Sequence, residues 1–370
     1  MNVARSDYIH PSIRADFEAL RERLRGKGYF EKRPVRVISE LVLNLVLAIG
    51  GMLVCAQSDQ PLVRITALLV SGYGTIGVTS NTHTSSHEAT SNRWWLDECL
   101  TFFGFPFTIA MATSYWRHHH LETHHLNTNV VGVDYDVDLA PWFLLNQSQI
   151  SRSSRWAQWY YHIQWLFFPV AVALNAFSIQ LSSLRFVWSA LCDRRRRRLE
   201  HGIDLGAMAL HWLVWAILPM AVWTPSNVLA IYVLRMSLVG YGMFIAAAPA
   251  HYPAEAAYLD REGAERVDFL LHQTTATIDF PTGWLGYLFY SGADYQIEHH
   301  LFPEISHVHY RRMQPEVEAF CHRHGYPYRR LGWLEAVWKS YRTLISPKQV
   351  ARSLGIVPAM STPADHASVA

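Results

Sequence analysis

The sequence is poor in charged residues and in cysteine. Charged residues make up 17% of the 370 positions, against about a quarter in soluble proteins. The formal net charge is only +2, so no strongly basic surface points to a nucleic acid partner. The four cysteines form no CxxC pair, and therefore indicate neither a disulfide framework nor a zinc–thiolate site. No early apolar run opens the chain, so we expect no cleaved signal peptide.

Apolar and aromatic residues are abundant instead. Half of the residues are hydrophobic, and 14 tryptophans and 18 tyrosines suit a protein with wide membrane–water interfaces. Four apolar runs are long enough to cross a bilayer, and short polar links join them in two hairpins. These predicted spans are residues 37–56, 61–80, 207–224 and 228–248.

Three regions follow from this pattern. Residues 1–35 are polar, with helical stretches, and are predicted to lie at the cytoplasmic membrane surface. Residues 36–345 form the membrane domain. Residues 346–370 form a tail whose end, from Pro358, has the composition of a disordered segment.

Two further apolar stretches do not fit a simple crossing. Residues 96–112 are short and interrupted by Gly104 and Pro106, which favours an interfacial helix. Residues 159–181 lie between a histidine group and five consecutive arginines that belong on the cytoplasmic side. We therefore expect that segment at the interface or as a re-entrant hairpin. The predicted fold is an all-α integral membrane protein with a cytoplasmic cap.

The chain contains 20 histidines, and seven of them form three groups. Alone, each group has an ordinary explanation as interfacial or solvated polar residues. Together they lie at the same predicted membrane face, where the fold would bring them to one metal site. Imidazole is the commonest ligand for transition metals in proteins. The groups are His83 and His87; His120, His124 and His125; and His299 and His300.

The number of imidazoles indicates more than one metal ion. A structural zinc site uses four ligands, often thiolates, whereas seven or eight imidazoles without cysteine exceed one tetrahedral shell. Two ions with imidazole-rich shells fit this number. Iron, zinc and copper all accept imidazole, so ligand type favours iron without excluding the others.

The order of these motifs resembles that of the membrane fatty acid desaturase superfamily. The third group lies in the sequence QIEHHLFP, Gln296 to Pro303, which is similar to the box of front-end and sphingolipid desaturases. Asn129, Asp134 and the segment Gln273–Thr277 also match positions around the family's boxes. The likeness covers roughly residues 35–330.

The resemblance implies a non-haem di-iron centre and assigns its ligands. His251 matches a further family ligand after the last span, with His272 as the alternative, and Gln296 is a weak ligand or hydrogen-bonds a ligand. The second box departs from the family by having three residues before its histidine pair, so His118 or His119 could replace His120. The implied metal ligands are His83, His87, His120, His124, His125, His251, His299 and His300.

The implied activity is the O2-dependent insertion of a double bond into an acyl chain by two Fe2+ ions. The substrate would be an acyl lipid, acyl-CoA or acyl-carrier protein, with Trp116 and Trp284 as candidates to line its tunnel. The sequence contains no His-Pro-Gly-Gly haem motif, so we expect a separate electron donor, a ferredoxin or b-type cytochrome. Membrane lipid is the expected surrounding, and the active site is expected on the cytoplasmic side.

Two other functions remain open at this point. The same di-iron core could act as a hydroxylase, epoxidase or acetylenase, because the outcome depends on how one C–H bond is placed. A membrane metal transporter would instead need ionisable residues within the spans. Between residues 37 and 56 only Glu40 is charged, which disfavours a transporter.

Overall fold

A computed structural model describes residues 9–351, and most of these residues are helical. The predicted disorder from Pro358 onward falls outside this range. The described α-helices, numbered in chain order, are α1 (Pro11–Gly26), α2 (Pro34–Gln57), α3 (Pro61–Ser86), α4 (Trp94–Phe102), α5 (Thr113–Trp116), α6 (Gln147–Arg152), α7 (Arg155–Cys192), α8 (Leu199–Trp212), α9 (Pro225–His251), α10 (Arg261–Glu265), α11 (Phe269–Ala276), α12 (Gly283–Tyr290), α13 (Gln296–Leu301), α14 (Tyr310–His324) and α15 (Trp333–Arg342).

Short segments of other types connect these helices. Three are π-helical, two are 3₁₀-helical, and two strands of two residues pair in parallel. The π-helical segments are Phe103–Phe107, Arg117–His124 and Leu213–Ile217; the 3₁₀ segments are Leu218–Ala221 and His307–His309; the strands are β1 (Tyr258–Leu259) and β2 (Val350–Ala351).

Within residues 9–351, five helices are long and apolar enough to cross a membrane. Three of the predicted spans lie within α2, α3 and α9, and the fourth, 207–224, overlaps the continuous run Leu199–Ala221 and extends three residues beyond it. The hairpin of α2 and α3 packs closely, since a Cβ atom on Gly74 would lie 2.4 Å from the carbonyl oxygen of Asn44. The chain is thus an all-α protein with membrane helices, as predicted.

The helix α3 continues beyond its apolar part to the first histidine group. Thr75, Thr79 and Thr82 bond the carbonyl oxygens four residues earlier through their hydroxyl groups, so these buried polar side chains are satisfied within the helix. The helix therefore stays regular to Ser86, six residues past the predicted end of the span.

The helix α7 is the fifth candidate span, and it corrects one prediction. It runs unbroken for 38 residues, about 57 Å, so residues 159–181 are not a re-entrant hairpin. Gln164 donates to the carbonyl of Leu144, Phe186 stacks on His118, and between them Gln180 donates to the Tyr232 hydroxyl of α9. The placement of α7 at the membrane interface stays a prediction.

The segment 96–112 forms α4 followed by a π-helical turn that contains Gly104 and Pro106. It is not among the five candidate spans. A Cβ atom on Gly104 would lie 1.8 Å from the Thr82 hydroxyl, so the glycine lets this segment lie directly against α3. The interfacial placement itself stays a prediction.

The N-terminal helix covers the third histidine group. The segment 1–35 was predicted to contain helical stretches, and α1 lies within it. Phe17 stacks on Phe302 with ring centroids 5.3 Å apart, and Leu20 and Leu24 are fully buried in the same cluster. The residues before the first span therefore form part of the cap over the histidines.

Candidate metal centre

Eight histidines from four remote parts of the chain meet at one end of the helical bundle. Three of them come from the end of α3 and the end of α9. Three more come from the π-helical segment Arg117–His124 and the residue that follows it, and the last two come from α13. They form two adjoining groups, and within each group one nitrogen per ring lies within 4.8 Å of the others. The groups are His83, His87, His120, His125 and His299; and His124, His251 and His300.

In the larger group, the Nε2 atoms face one another at short range. Nε2 of His83 lies 2.7 Å from that of His120 and 3.2 Å from that of His87. Nε2 of His125 lies 3.0 Å from that of His120 and 3.1 Å from that of His299. Two nitrogens bound at right angles to one metal, each about 2.1 Å away, would be about 3.0 Å apart. The spacing therefore fits a shared metal ion.

The smaller group adjoins the larger one. The ring of His124 lies 4.7 Å from that of His251 and 5.0 Å from that of His300, measured between centroids. The ring of His300 lies 4.5 Å from that of His125, which belongs to the larger group. Two metal ions held by these groups would be close neighbours.

The π-helical segment explains the unusual spacing of the second box. Its hydrogen bonds join residues five apart, and the backbone N–H of His125 donates to the carbonyl of His120 at 3.0 Å. His120 and His125 therefore share a face of the turn despite the additional residue. His118 pairs with Glu122 and His119 stacks on Tyr115, so the structure places His120, rather than either of them, in the site.

A buried carboxylate holds His124. The Nδ1 atom of His124 lies 2.9 Å from Oδ2 of Asp134, so the Nε2 atom of His124 is the one that can bind a metal. Burial alone would lower the pKa of His124, but the charges of Asp134 and Asp136 outweigh it and raise the pKa to about 9. The same pair holds the pKa of Asp134 below its ordinary value against the effect of burial.

The two histidines of α13 are held in the same way by neutral groups. Nδ1 of His299 lies 3.1 Å from the Tyr310 hydroxyl, and Nδ1 of His300 lies 2.8 Å from Oε1 of Gln273. An amide oxygen only accepts hydrogen bonds, so His300 carries its proton on Nδ1 and offers Nε2. The sequence analysis did not predict the hydrogen bonds of Tyr310 and Gln273 to these histidines, because no sequence motif links either residue to its histidine.

Most rings of the larger group are neutral. Burial lowers the pKa values of His120, His125 and His299 well below the ordinary value, and the neighbouring histidines lower them further. Neutral imidazole is the form that binds a metal ion. Ring nitrogens 2.7–3.2 Å apart cannot all be satisfied by hydrogen bonds to each other, since each neutral ring has one donor. The donor set fits two metal ions.

Other candidates from the sequence lie elsewhere or have other contacts. His272 bonds the carbonyl of Thr128, so His251 is the histidine that joins the site. Gln296 donates its amide to the carbonyl of Ala293 at 2.9 Å, a contact at the start of α13.

The two tryptophans predicted to line a substrate tunnel differ in position. Trp116 stacks on His120 with ring centroids 4.2 Å apart and donates to the Ser86 hydroxyl. Trp284 is 74% exposed on α12, which suits a lipid-facing residue better than the wall of an internal tunnel.

A small cavity borders the larger group. The side chains of His83, His87 and His299 form one wall of it. On the other side His307 lies between Thr84, 2.6 Å from its Nδ1 atom, and Glu40, 2.9 Å from its Nε2 atom. No sequence motif predicts this contact, which joins α2 to the segment after the third box.

Comparison with known proteins gives one consistent result. The profile described as "Fatty acid desaturase" matches residues 59–332. The chain is similar to a Delta(8)-fatty-acid desaturase of Euglena gracilis, 27% identical over 85% of this chain and 74% of the relative. It is also similar to an acyl-lipid (8-3)-desaturase of Thraustochytrium sp, 25% identical over 92% and 75% of the two chains. An acyl-lipid 8-desaturase of Rebecca salina is 27% identical over 89% and 74%.

Proposed function

Because this chain belongs to the fatty acid desaturase family, we propose that it is a membrane-bound, non-haem di-iron enzyme that uses O2 to insert a double bond into an acyl chain. The observation that carries this proposal is the convergence of eight histidines into two adjoining groups. Imidazole-rich sites without thiolate suit iron. Relatives of similar sequence are named as desaturases of fatty acids or acyl lipids.

Two bound Fe2+ ions would supply the oxidising power needed to remove hydrogen from an unactivated methylene with O2. We assign the eight histidines as their ligands. The chain's own contribution is to fix the ligand nitrogens and to keep water out. Asp134, Gln273 and Tyr310 each hold the Nδ1 atom of a ligand ring, so that Nε2 faces the centre.

The small cavity beside His83, His87 and His299 is the place we assign to the reacting methylene. A second hydrogen must leave the neighbouring carbon before oxygen is inserted, so the acyl chain has to be held firmly. Gly292 and Tyr310 form part of the opposite wall. A Cβ atom on Gly292 would lie 2.7 Å from Cβ of His307, so only glycine leaves this wall in place.

The reaction also needs electrons, protons and an acyl donor. The proposal includes a separate one-electron carrier, a ferredoxin or b-type cytochrome, and places the metal end of the bundle on the cytoplasmic side. The arginine run Arg194–Arg198 lies between α7 and α8 near that end, because Glu200 pairs with both Arg198 and Arg117. The substrate is an acyl group carried on lipid, CoA or carrier protein.

Acyl profiling of a host that expresses this chain tests the proposal. The wild type should yield an acyl species two mass units lighter than its precursor, and the His299→Ala variant should not. The matched control is His118→Ala, which removes a histidine of the same box that lies outside both groups. A profile unchanged by wild-type expression, with an electron donor and iron supplied, would contradict the proposal.

The same experiment separates the closest alternative. A hydroxylase or epoxidase with this core would give a product that gains one oxygen, and an acetylenase would act on an existing double bond. A metal transporter is disfavoured by a buried cation: Arg235 lies within α9 and is fully buried, where its charge would oppose the passage of metal ions.

A further inference from the structure

The segment after α15 is built into the fold. The backbone N–H of Lys348 donates to the carbonyl of Leu145 at 2.9 Å, and the carbonyl of Lys348 accepts from the N–H of Gln147 at 2.8 Å. Beyond Lys348, the strand β2 pairs in parallel with β1. This segment follows the residues that match the family profile, 59–332, and no sequence motif assigns it a function. Its contacts therefore carry information that the family likeness does not.

The side chain of Lys348 is buried against the end of α9. Its Nζ atom donates to three carbonyl oxygens, those of His251 at 3.1 Å, Pro253 at 2.8 Å and Ala256 at 2.5 Å. It also lies 3.6 Å from the ring centroid of Tyr258. Only 8% of Lys348 is exposed, and it forms no ion pair within the part of the chain that the structure describes. A buried amino group is costly unless its donors are satisfied, and here each of the three hydrogens of an ammonium group has an acceptor.

The carbonyl of His251 is one of the last C=O groups of α9. Such groups have no partner within their helix and carry its partial negative charge, so an amino group beside them is favourable. The last turn is also weakened by Pro249, which lacks an N–H, and the carbonyl of Ile245 accepts from the Tyr290 hydroxyl instead. The turn that carries His251 is thus held in place by side chains from outside α9.

The same carbonyl of His251 accepts a second hydrogen bond, from Nδ2 of Asn129 at 3.1 Å. The backbone N–H of Asn129 in turn donates at 2.8 Å to Oδ2 of Asp134, the oxygen that holds Nδ1 of His124. Lys348 therefore belongs to one connected network with His251 and His124, which are two of the three histidines of the smaller group. None of the five histidines of the larger group lies on α9. A displacement of the end of α9 would therefore disturb the smaller group and spare the larger one.

We propose that Lys348 is a positioning residue of the metal centre: by holding the carbonyl of His251, it keeps the ring of that histidine beside His124 and His300. It binds neither a metal ion nor the substrate, and it acts only through the end of α9. The inference rests on the proposed assignment of the eight histidines as metal ligands. Loss of Lys348 should weaken metal binding at the smaller group selectively.

The test is a titration of the metal-free full chain in detergent with Co2+, whose absorption reports ligation without any turnover. The wild type should bind about two ions per chain. Lys348→Met keeps the apolar stem but removes the donors. It should bind one ion as tightly as the wild type and the other about 10–100-fold more weakly, the usual effect of removing a group that orients a ligand. The matched control is Lys339→Met, because Lys339 pairs with Glu255 in the loop that follows α9, and this variant should bind both ions like the wild type.

The outcomes separate this inference from the proposed function. Two tightly bound ions in Lys348→Met would overturn the inference, because the lysine would not be needed. Equal weakening of both ions would overturn it as well, because Lys348 would then support only the fold as a whole. A wild type that binds no Co2+ would overturn the metal centre itself, and this inference with it.

A second measurement on the wild type does not depend on whether Lys348→Met folds. Coupling between two sites is reciprocal, so a metal ion bound by the smaller group should stabilise the segment that holds the group in place. Co2+ should therefore slow amide hydrogen exchange in residues 344–351 of the wild type by about tenfold or more. It should leave this exchange unchanged in His251→Ala, in which the smaller group is incomplete. Equal exchange in the wild type with and without Co2+ would contradict the role of Lys348.

Discussion

Oε1 of Gln273 lies 2.8 Å from Nδ1 of His300, so the side chain of Gln273 on α11 orients the imidazole ring of His300 on α13. The other glutamine near the site, Gln296, makes its hydrogen bond to the carbonyl of Ala293. The family resemblance draws attention to Gln296, because it occupies the place of a histidine in the third box. The contacts indicate that Gln273 has the larger effect on metal binding.

We therefore predict that Gln273→Leu lowers iron affinity by about 10–100-fold, the usual effect of removing a partner of a ligand histidine. Gln296→Leu is the matched change and should retain nearly wild-type affinity. Iron content after dialysis against graded chelator measures both. An equal or larger loss in Gln296→Leu would instead support its assignment as a weak ligand.

A second prediction concerns the pH dependence of the metal-free protein. The pKa of His124 is raised to about 9 in the folded chain, against an ordinary value of 6.5. The pair with Asp134 therefore contributes stability that is full below pH 6.5 and is lost as the pH rises through about 9. Asp134 stays ionised throughout this window because its own pKa is lowered.

Thermal unfolding of chelator-treated protein in detergent checks this prediction. The wild type should lose more stability between pH 6.5 and 9 than Asp134→Asn does. Asp138→Asn is the control, since Asp138 lies in the same loop and accepts only the backbone N–H of Ala140. Parallel pH curves for wild type and Asp134→Asn would show that the pair does not stabilise the fold.

Because the histidines form two adjoining groups, we predict a higher metal content than a single metal site would give. The wild type should bind about two iron ions per chain, because eight imidazoles exceed one coordination shell. Removing His251 leaves the smaller group with two histidines, so His251→Ala should retain about one. Inductively coupled plasma mass spectrometry of the purified protein gives this ratio.

His272→Ala is the matched control for this change, because His272 is the histidine that sequence comparison leaves as the alternative to His251. Its ring bonds the carbonyl of Thr128 at 2.8 Å and lies outside both groups. It should retain about two iron ions. Loss of iron in His272→Ala with full retention in His251→Ala would reverse the assignment.

The sequence was sufficient for the parts of the fold that depend on apolar runs and histidine spacing. Three of the predicted spans lie within α2, α3 and α9, and the fourth overlaps the run Leu199–Ala221 over all but its last three residues, because a segment that crosses lipid has to be a long apolar helix. The eight histidines meet because those spans end on one side of the bundle.

The remaining features depend on contacts between distant residues. The π-helical turn around His120 exists because its histidines point into a shared centre, which no local propensity encodes. Asp134 and Gln273 were visible as family matches, but their roles appear only when the rings they hold are located. The continuity of α7 was not predicted, because the parity of crossings left both an interfacial segment and a re-entrant hairpin open for residues 159–181.

The last prediction concerns the close contact between α7 and α9. A Cβ atom on Gly240 would lie 2.1 Å from the carbonyl oxygen of Val172, and backbone cannot give way as a flexible side chain can. Gly240→Ala must separate the two helices, and we expect a loss of about 1–3 kcal/mol in the free energy of unfolding.

Gly206 offers the opposite case, since it lies exposed within α8 with no atom within 4 Å of an added Cβ. Alanine is favoured over glycine inside a helix, so Gly206→Ala should be neutral or stabilising. Thermal unfolding in detergent compares the two. Because α9 ends at His251, the separation should also reduce the iron content of Gly240→Ala, whereas a variant as stable and as iron-rich as the wild type would show that these helices are not held as closely as described.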